Sequence, residues 1–163
     1  MAATYTPIAS ITLGATAASV TFSSIPQTYT DLVLVGSVSA TAGLDYWYRL
    51  NSDSASNYSN TRLTGDGSSA ASARTSGADK TYFNVLGTGT GQHNFIMHLM
   101  NYSNTTTNKT QLIRYDNAGT ATALRVGLWR STAAISTVLI QTDSSTFTAG
   151  STFNLYGILG ANA

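Results

Sequence analysis

The sequence contains no cysteine and no glutamate, and it has few charged residues of either sign. The absence of cysteine excludes disulfides, thiol catalysis and cysteine-ligated metal sites. Of the 163 residues, only eight are Lys or Arg and seven are Asp. So small a charged fraction disfavours helical bundles and coiled coils, which depend on Glu and Lys. The net charge of +1 supplies no basic field for binding nucleic acid.

Hydroxyl and amide side chains supply the polar character instead, with 20 Ser, 26 Thr and 11 Asn. A hydrophobic content of 42% is too high for an intrinsically disordered chain. The length predicts one domain over residues 1–163. Because a nearly neutral surface resists self-association poorly, the composition favours a component of an assembly, covered by its neighbours.

The sequence contains no recognisable secretory signal and no recognisable membrane-spanning segment. Residues 1–7 have no basic or apolar region of a secretory signal. No stretch approaches the ~20 apolar residues that would span a bilayer. We therefore expect no membrane partner.

Alternation of apolar and polar residues, with many Thr, Val, Ile, Tyr and Phe, predicts roughly ten short strands and negligible helix. The predicted strands lie at 8–13, 19–23, 31–38, 44–51, 58–63, 81–86, 93–100, 111–115, 124–129, 135–141 and 151–159. Turn residues separate them at short intervals. The pattern predicts an all-β fold, an antiparallel β-sandwich that is jelly-roll-like.

Three segments carry more specific expectations. The nearly continuous apolar run at 31–38 predicts a central strand that is covered on both faces. Alternation further along predicts that Leu124, Val126 and Leu128 face the core. The stretch 65–80 is polar and without periodicity, which predicts a long loop of functional interest.

Catalytic and cofactor motifs are missing from the sequence. His93 and His98 are five residues apart on one predicted strand, so they lie on opposite faces and cannot bind one metal ion. There is no Gly-x-Ser-x-Gly nucleophile motif, and the aspartates show no pair with recognisable spacing for glycoside hydrolysis. The glycine-rich run 87–91 precedes no helix and predicts a hairpin turn rather than a dinucleotide site. We therefore predict that the chain is not an enzyme and uses no cofactor and no catalytic metal.

Two groups of polar residues could have either a structural or a functional role. Asp45 lies within a predicted strand, where a salt bridge to Arg49 would account for it. Asn51, Asp53 and Asn57 resemble an oxygen-rich calcium loop, but the glycine and glutamate of an EF-hand are missing. An irregular calcium site there stays an alternative.

Aromatic residues are the most informative feature of so weakly charged a chain. Exposed aromatics would serve as anchors for protein contacts or as platforms for sugar rings. The candidate contact surface consists of Tyr46, Trp47, Tyr48, Tyr58, Tyr102 and Trp129. The alternative is that at least half of these side chains fill the core of the sandwich.

Several segments carry a family likeness that runs nearly from end to end. PIASITLG (7–14) and SVTFSSIPQTYTDL (19–32) resemble the opening of small virion proteins of tailed bacteriophages. A second block of these proteins resembles Leu50-Asn51, Asn57-Tyr58-Ser59 and Arg62-Leu63 of this chain. FTAGSTFNLYGI (147–158) is similar to their closing strand.

This resemblance implies a phage structural component with an antiparallel β-sandwich fold, and it supplies no catalytic or binding residues. We expect a non-enzymatic virion protein that decorates or cements the capsid, assembled in the host cytoplasm. It would act as a homo-oligomer, with a trimer favoured by analogy with virion symmetry, and would bind the major capsid protein or other virion proteins. The alternative is a tail-fibre or receptor-binding domain that recognises host surface glycans.

Overall fold

A computed structural model of the chain describes residues 4–42, 45–83, 91–117 and 119–160. It contains twelve strands: β1 (Thr6–Thr12), β2 (Ser19–Phe22), β3 (Asp31–Val38), β4 (Tyr46–Leu50), β5 (Tyr58–Gly65), β6 (Ala70–Ala78), β7 (Thr81–Tyr82), β8 (His93–Met100), β9 (Lys109–Asn117), β10 (Ala121–Trp129), β11 (Val138–Thr142) and β12 (Thr152–Ile158). These described ranges contain no helix, and so none that could cross a membrane.

The strands form two antiparallel sheets, which confirms the predicted all-β sandwich. The larger sheet has eight strands in the order β1-β12-β3-β8-β9-β10-β5-β6, and the smaller has four in the order β2-β11-β4-β7. The smaller sheet packs on one face of the larger, here called the inner face. The opposite side of the larger sheet is called the outer face.

Aromatic rings fill the space between the sheets. The ring centroid of Phe83 lies 5.1 Å from that of Tyr46, 5.0 Å from Tyr48 and 4.4 Å from Phe95. The alternation of β4 puts Tyr46 and Tyr48 on the same side, so both rings enter the core. Rings of this size contribute much of the apolar area that folding buries.

The predicted central strand at 31–38 is β3, which lies between β12 and β8. Leu32 and Leu34 face the inner side and Val33 the outer side, and all three are buried. Leu44 of the predicted strand 44–51 lies outside the described residues. So do residues 84–86 of the predicted strand 81–86 and residues 87–90 of the predicted turn.

The prediction of a loop at 65–80 is wrong, because most of this segment is strand β6. Residues Ala70–Ala78 pair with β5 along the edge of the larger sheet. Asp66 forms the turn of this hairpin, since its Oδ1 accepts hydrogen bonds from the backbone N–H of Ser68 at 2.9 Å and of Ser69 at 2.6 Å. The strand is exposed on both faces over almost its whole length, so no burial constrains its sequence to alternate.

The orientation predicted for strand 124–129 is also wrong. Leu124 and Val126 are 43% and 51% exposed on the outer face, while Arg125 is buried on the inner face with 3% exposed. Alternation separates the two faces of a strand but does not say which of them is covered. The smaller sheet covers the face that carries Trp129, which has the same parity as Arg125.

Candidate functional site

The six aromatics predicted to form a contact surface are all buried, so that prediction is corrected. Their exposed fractions are at most 4%. The six are Tyr46, Trp47, Tyr48, Tyr58, Tyr102 and Trp129. Five of them belong to the core cluster: four point between the two sheets from strands, and Tyr102 enters the core from the turn after β8. The alternative, in which such rings fill the core, is the one observed.

Trp47 is the exception, because it lies on the outward side of the smaller sheet and is covered by charged side chains. The guanidinium carbon of Arg49 and the Nζ of Lys80 lie 4.7 and 4.8 Å from the centroid of its ring. Its indole N–H donates to Asp143 Oδ1 at 2.7 Å. Burial alone would raise the pKa of Asp143, but hydrogen bonds from Tyr82, Lys80 and Trp47 lower it below the ordinary value.

The prediction of a salt bridge between Asp45 and Arg49 is wrong. Arg49 pairs instead with Asp79, on the segment that leads into β7. Its Nε also donates to the backbone oxygen of Asp79 at 3.0 Å. Burial and the nearby charge of Asp143 raise the pKa of Asp45.

At the candidate calcium site, side-chain oxygens of Asn51 and Asp53 already accept hydrogen bonds from protein donors. Asp53 Oδ2 accepts from the indole N–H of Trp129 at 2.7 Å and from Asn57 Nδ2 at 2.8 Å. Asn51 Oδ1 accepts from two backbone N–H groups of the segment before β11. Burial would raise the pKa of Asp53, but the bonds from Asn57, Trp129 and the Ala55 N–H lower it. These contacts fasten the β4–β5 connection to β10.

The two histidines lie on opposite faces of β8, as the sequence predicted. His93 is buried on the inner face, and His98 lies on the outer face with its Nε2 3.0 Å from Asp31 Oδ2. No group of three metal-ligating side chains of the His, Cys, Asp or Glu type occurs within the described ranges.

We expect the protein to lose stability as the pH falls from about 5 to about 2. The pKa values of Asp53 and Asp143 are lowered in the folded chain, so the unfolded chain binds protons more readily in this range. Asp45 acts in the opposite direction. Because its pKa is raised, its contribution to folding stability is present at low pH and is lost as the pH rises past the ordinary aspartate pKa. Hydrogen bonds from Ser69 and Ser68 also lower the pKa of the exposed Asp66. With three lowered carboxyls against one raised, the melting temperature by circular dichroism should fall in acid. Asp53→Asn should flatten that decline, and a melting temperature that rises toward pH 3 would contradict the assignment.

Two surface features are candidates for function, and the first is an apolar stripe on the outer face. Leu63 on β5 pairs with Leu124 on β10, and Val126 pairs with Leu112 on β9. These four side chains are between 39% and 57% exposed. Their cross-strand neighbours place them side by side, so they form one continuous patch.

The second feature is a cleft of about 450 Å³ between the inner face of the β5–β6 hairpin and the edge of the smaller sheet. Arg125 and Arg62 form a cross-strand pair on its floor. Its lining is completed by Asn60, Ala73, Thr75, Ala78, Asp79, Lys80 and Tyr82. The edge strand β7 is only two residues long, and beside it Arg62 is half-buried while Arg125 is buried.

Sequence reasoning missed both arginines of the cleft. They lie far apart in the sequence, and the pairing of β5 with β10 brings them together. One signal was available, because Arg125 shares its strand face with Trp129, a residue that is usually buried in a sandwich. Strand order, which the pattern does not give, was needed to place Arg62 beside it.

No protein-family model and no curated protein matches the chain. Among solved structures, the chain is similar to an exo-inulinase from Aspergillus awamori, with a TM-score of 0.51 and 14% sequence identity. The similarity covers 94% of this chain, which spans 29% of the length of that protein. At this identity the likeness shows the fold alone.

That comparison nevertheless contradicts the prediction that the chain is not an enzyme. The matching structure is that of an enzyme, and a domain of the present fold forms part of it. The absence of a catalytic motif from the sequence is therefore no ground for excluding activity. A fold hosts many functions, so the site decides what a given chain does.

Proposed function

We propose that this chain is a structural protein of a tailed-phage particle, a capsid decoration protein that works as an oligomer. The observation that carries the proposal is the exposed apolar stripe of Leu63, Leu112, Leu124 and Val126. Contiguous apolar patches of this kind on a folded protein mark surfaces that bind other proteins. The aromatic patch that suggested the glycan-binding alternative is buried, so that alternative loses its basis.

The partner proposed for the outer face is a second copy of this chain. Eight strands about 4.8 Å apart, each rising about 3.3 Å per residue, present a face of roughly 1,000 Å². A stable interface needs about 800 Å² from each partner. The net charge of +1 also puts almost no repulsion between copies.

We expect Val126→Glu to convert the oligomer to a monomer. The substitution places a carboxylate at the centre of the stripe, where contact with a second copy would remove it from water at a cost in free energy. Light scattering coupled to size exclusion measures the number of copies, for which virion symmetry favours three. Thr21→Glu is the matched control, because it adds the same charge at an exposed strand position of the smaller sheet and should leave the mass unchanged.

The location of the protein tests the role in the particle. Cryo-electron microscopy of the phage that encodes the chain should place it on the head surface in a fixed ratio to the major capsid protein. Added to undecorated heads, the wild-type protein should bind and raise their melting temperature, and the Val126→Glu variant should not. A wild-type chain that is monomeric at all concentrations, or absent from the head, would contradict the proposal.

A further inference from the structure

We propose that the cleft between the β5–β6 hairpin and β7 binds a small ligand through an oxyanion group, either a carboxylate, a sulfate or a phosphate. The proposal concerns the inner face of the hairpin and is independent of the apolar stripe on the outer face. It rests on two arginines whose charges have no acidic partner among the described residues. Both side chains line the cleft.

Arg125 is the strongest part of the site, because a buried guanidinium ordinarily has a full set of acceptors. It is only 3% exposed, and its Nε has no hydrogen-bond partner in the described part of the chain. Its Nη2 lies 3.5 Å from the hydroxyl of Tyr115, and its guanidinium carbon lies 5.9 Å from that ring. A neutral phenol at this distance leaves the positive charge uncompensated.

Arg62 doubles the uncompensated charge, since it stands directly opposite Arg125 in the β5–β10 register. Like charges placed opposite each other in a sheet destabilise it. An anion held between the two guanidinium groups would remove that repulsion.

The other charges around the cleft are already paired. Asp79 also lines the cleft, but its carboxylate is paired with Arg49. Lys80 pairs with Asp143 at 3.2 Å. The site therefore has a local excess of two positive charges, both on its floor.

The remaining lining fits a small polar ligand. A volume of about 450 Å³ lies within the usual range of ligand pockets. Ala73 next to Arg62 leaves room above the floor, while Asn60 and Thr75 supply neutral polar groups beside it. Guanidinium groups bind oxyanions through two parallel hydrogen bonds, and the Nε–H of Arg125 is an unused donor for such a pair.

The test titrates the isotope-labelled full chain with sodium acetate, glucuronate, sulfate and phosphate at constant ionic strength. NMR of the arginine Nε–H groups should show saturable shifts at Arg62 and Arg125 with at least one of these anions. Acetate against glucuronate separates a bare carboxylate from a sugar acid, and sulfate and phosphate probe tetrahedral groups. Glucose, which has the sugar ring without the charge, should give no shift.

Arg62→Gln should weaken binding of the best anion by about tenfold or more, because one of two charged donors is lost. Arg74→Gln is the matched control on the same hairpin, since Arg74 pairs with Thr61 on the opposite face and should bind as the wild type does. Arg125→Met provides a second readout, because removing an unpaired buried charge should raise the melting temperature without ligand and abolish any further rise with it. Absence of saturable shifts with all four anions, or undiminished binding by Arg62→Gln, would overturn the proposal.

Discussion

Replacing Gly36 with alanine should destabilise the protein by about 3 kcal/mol, through overpacking of the core. Gly36 lies on the inner face of β3, opposite Phe95 in the register with β8. A Cβ at this position would lie 2.1 Å from Cε1 of the Phe95 ring and 2.3 Å from its Cζ. The ring cannot move aside, because it is held 4.4 Å from Phe83 and 5.7 Å from Tyr46 by centroid distance.

The measurement is urea unfolding followed by far-UV circular dichroism, with thermal melting as a second probe. Gly14→Ala is the control, because nothing lies within 4 Å of a Cβ there and the substitution should be neutral or stabilise the chain by up to ~1 kcal/mol. Phe95→Leu should recover part of the loss in the Gly36→Ala background, since it vacates the volume that the new methyl group needs. Equal stabilities of Gly36→Ala and Gly14→Ala would show that the ring does not lie over β3.

Much of this fold follows from local sequence. The run at 31–38 predicts β3 with its observed bounds, because a central strand is apolar on both faces. Strand β6 could not be predicted in the same way. It lies at the sheet edge with both faces exposed, so its small and polar residues carry no period to read.

The candidate sites depend on which face the smaller sheet covers, and that is a property of the tertiary structure. Leu124 and Val126 look like core residues by alternation, and Arg125 looks like a surface residue. The second sheet packs on the side of Trp129, which buries Arg125 and leaves the two aliphatic side chains in solvent. Both the apolar stripe and the cleft depend on which face of the larger sheet the smaller sheet covers.

Replacing Asp53 with alanine should destabilise the protein by about 2–4 kcal/mol, because a buried donor then loses a charged acceptor. Asp53 Oδ2 receives the indole N–H of Trp129 at 2.7 Å, and its Oδ1 receives the backbone N–H of Ala55 at 2.9 Å. Trp129 is 2% exposed and Asp53 is half-buried, so water at the vacated position would restore the hydrogen bond only in part. Urea unfolding monitored by tryptophan fluorescence measures the change.

A double-mutant cycle with Trp129→Phe separates the indole hydrogen bond from the rest of the Asp53 network. Phenylalanine has no N–H, so in its presence Asp53→Ala should cost about 1–2 kcal/mol less than in the wild type. The remaining cost belongs to the bonds from Asn57 and Ala55, which hold the β4–β5 connection in a conformation where Asn51 and Ser52 have φ of 50° and 56°. Residues with side chains adopt this left-handed region only when their surroundings hold them there. Additive effects of the two substitutions would mean that Asp53 acts on the connection alone, and that the bond to Trp129 contributes nothing to holding β10 against it.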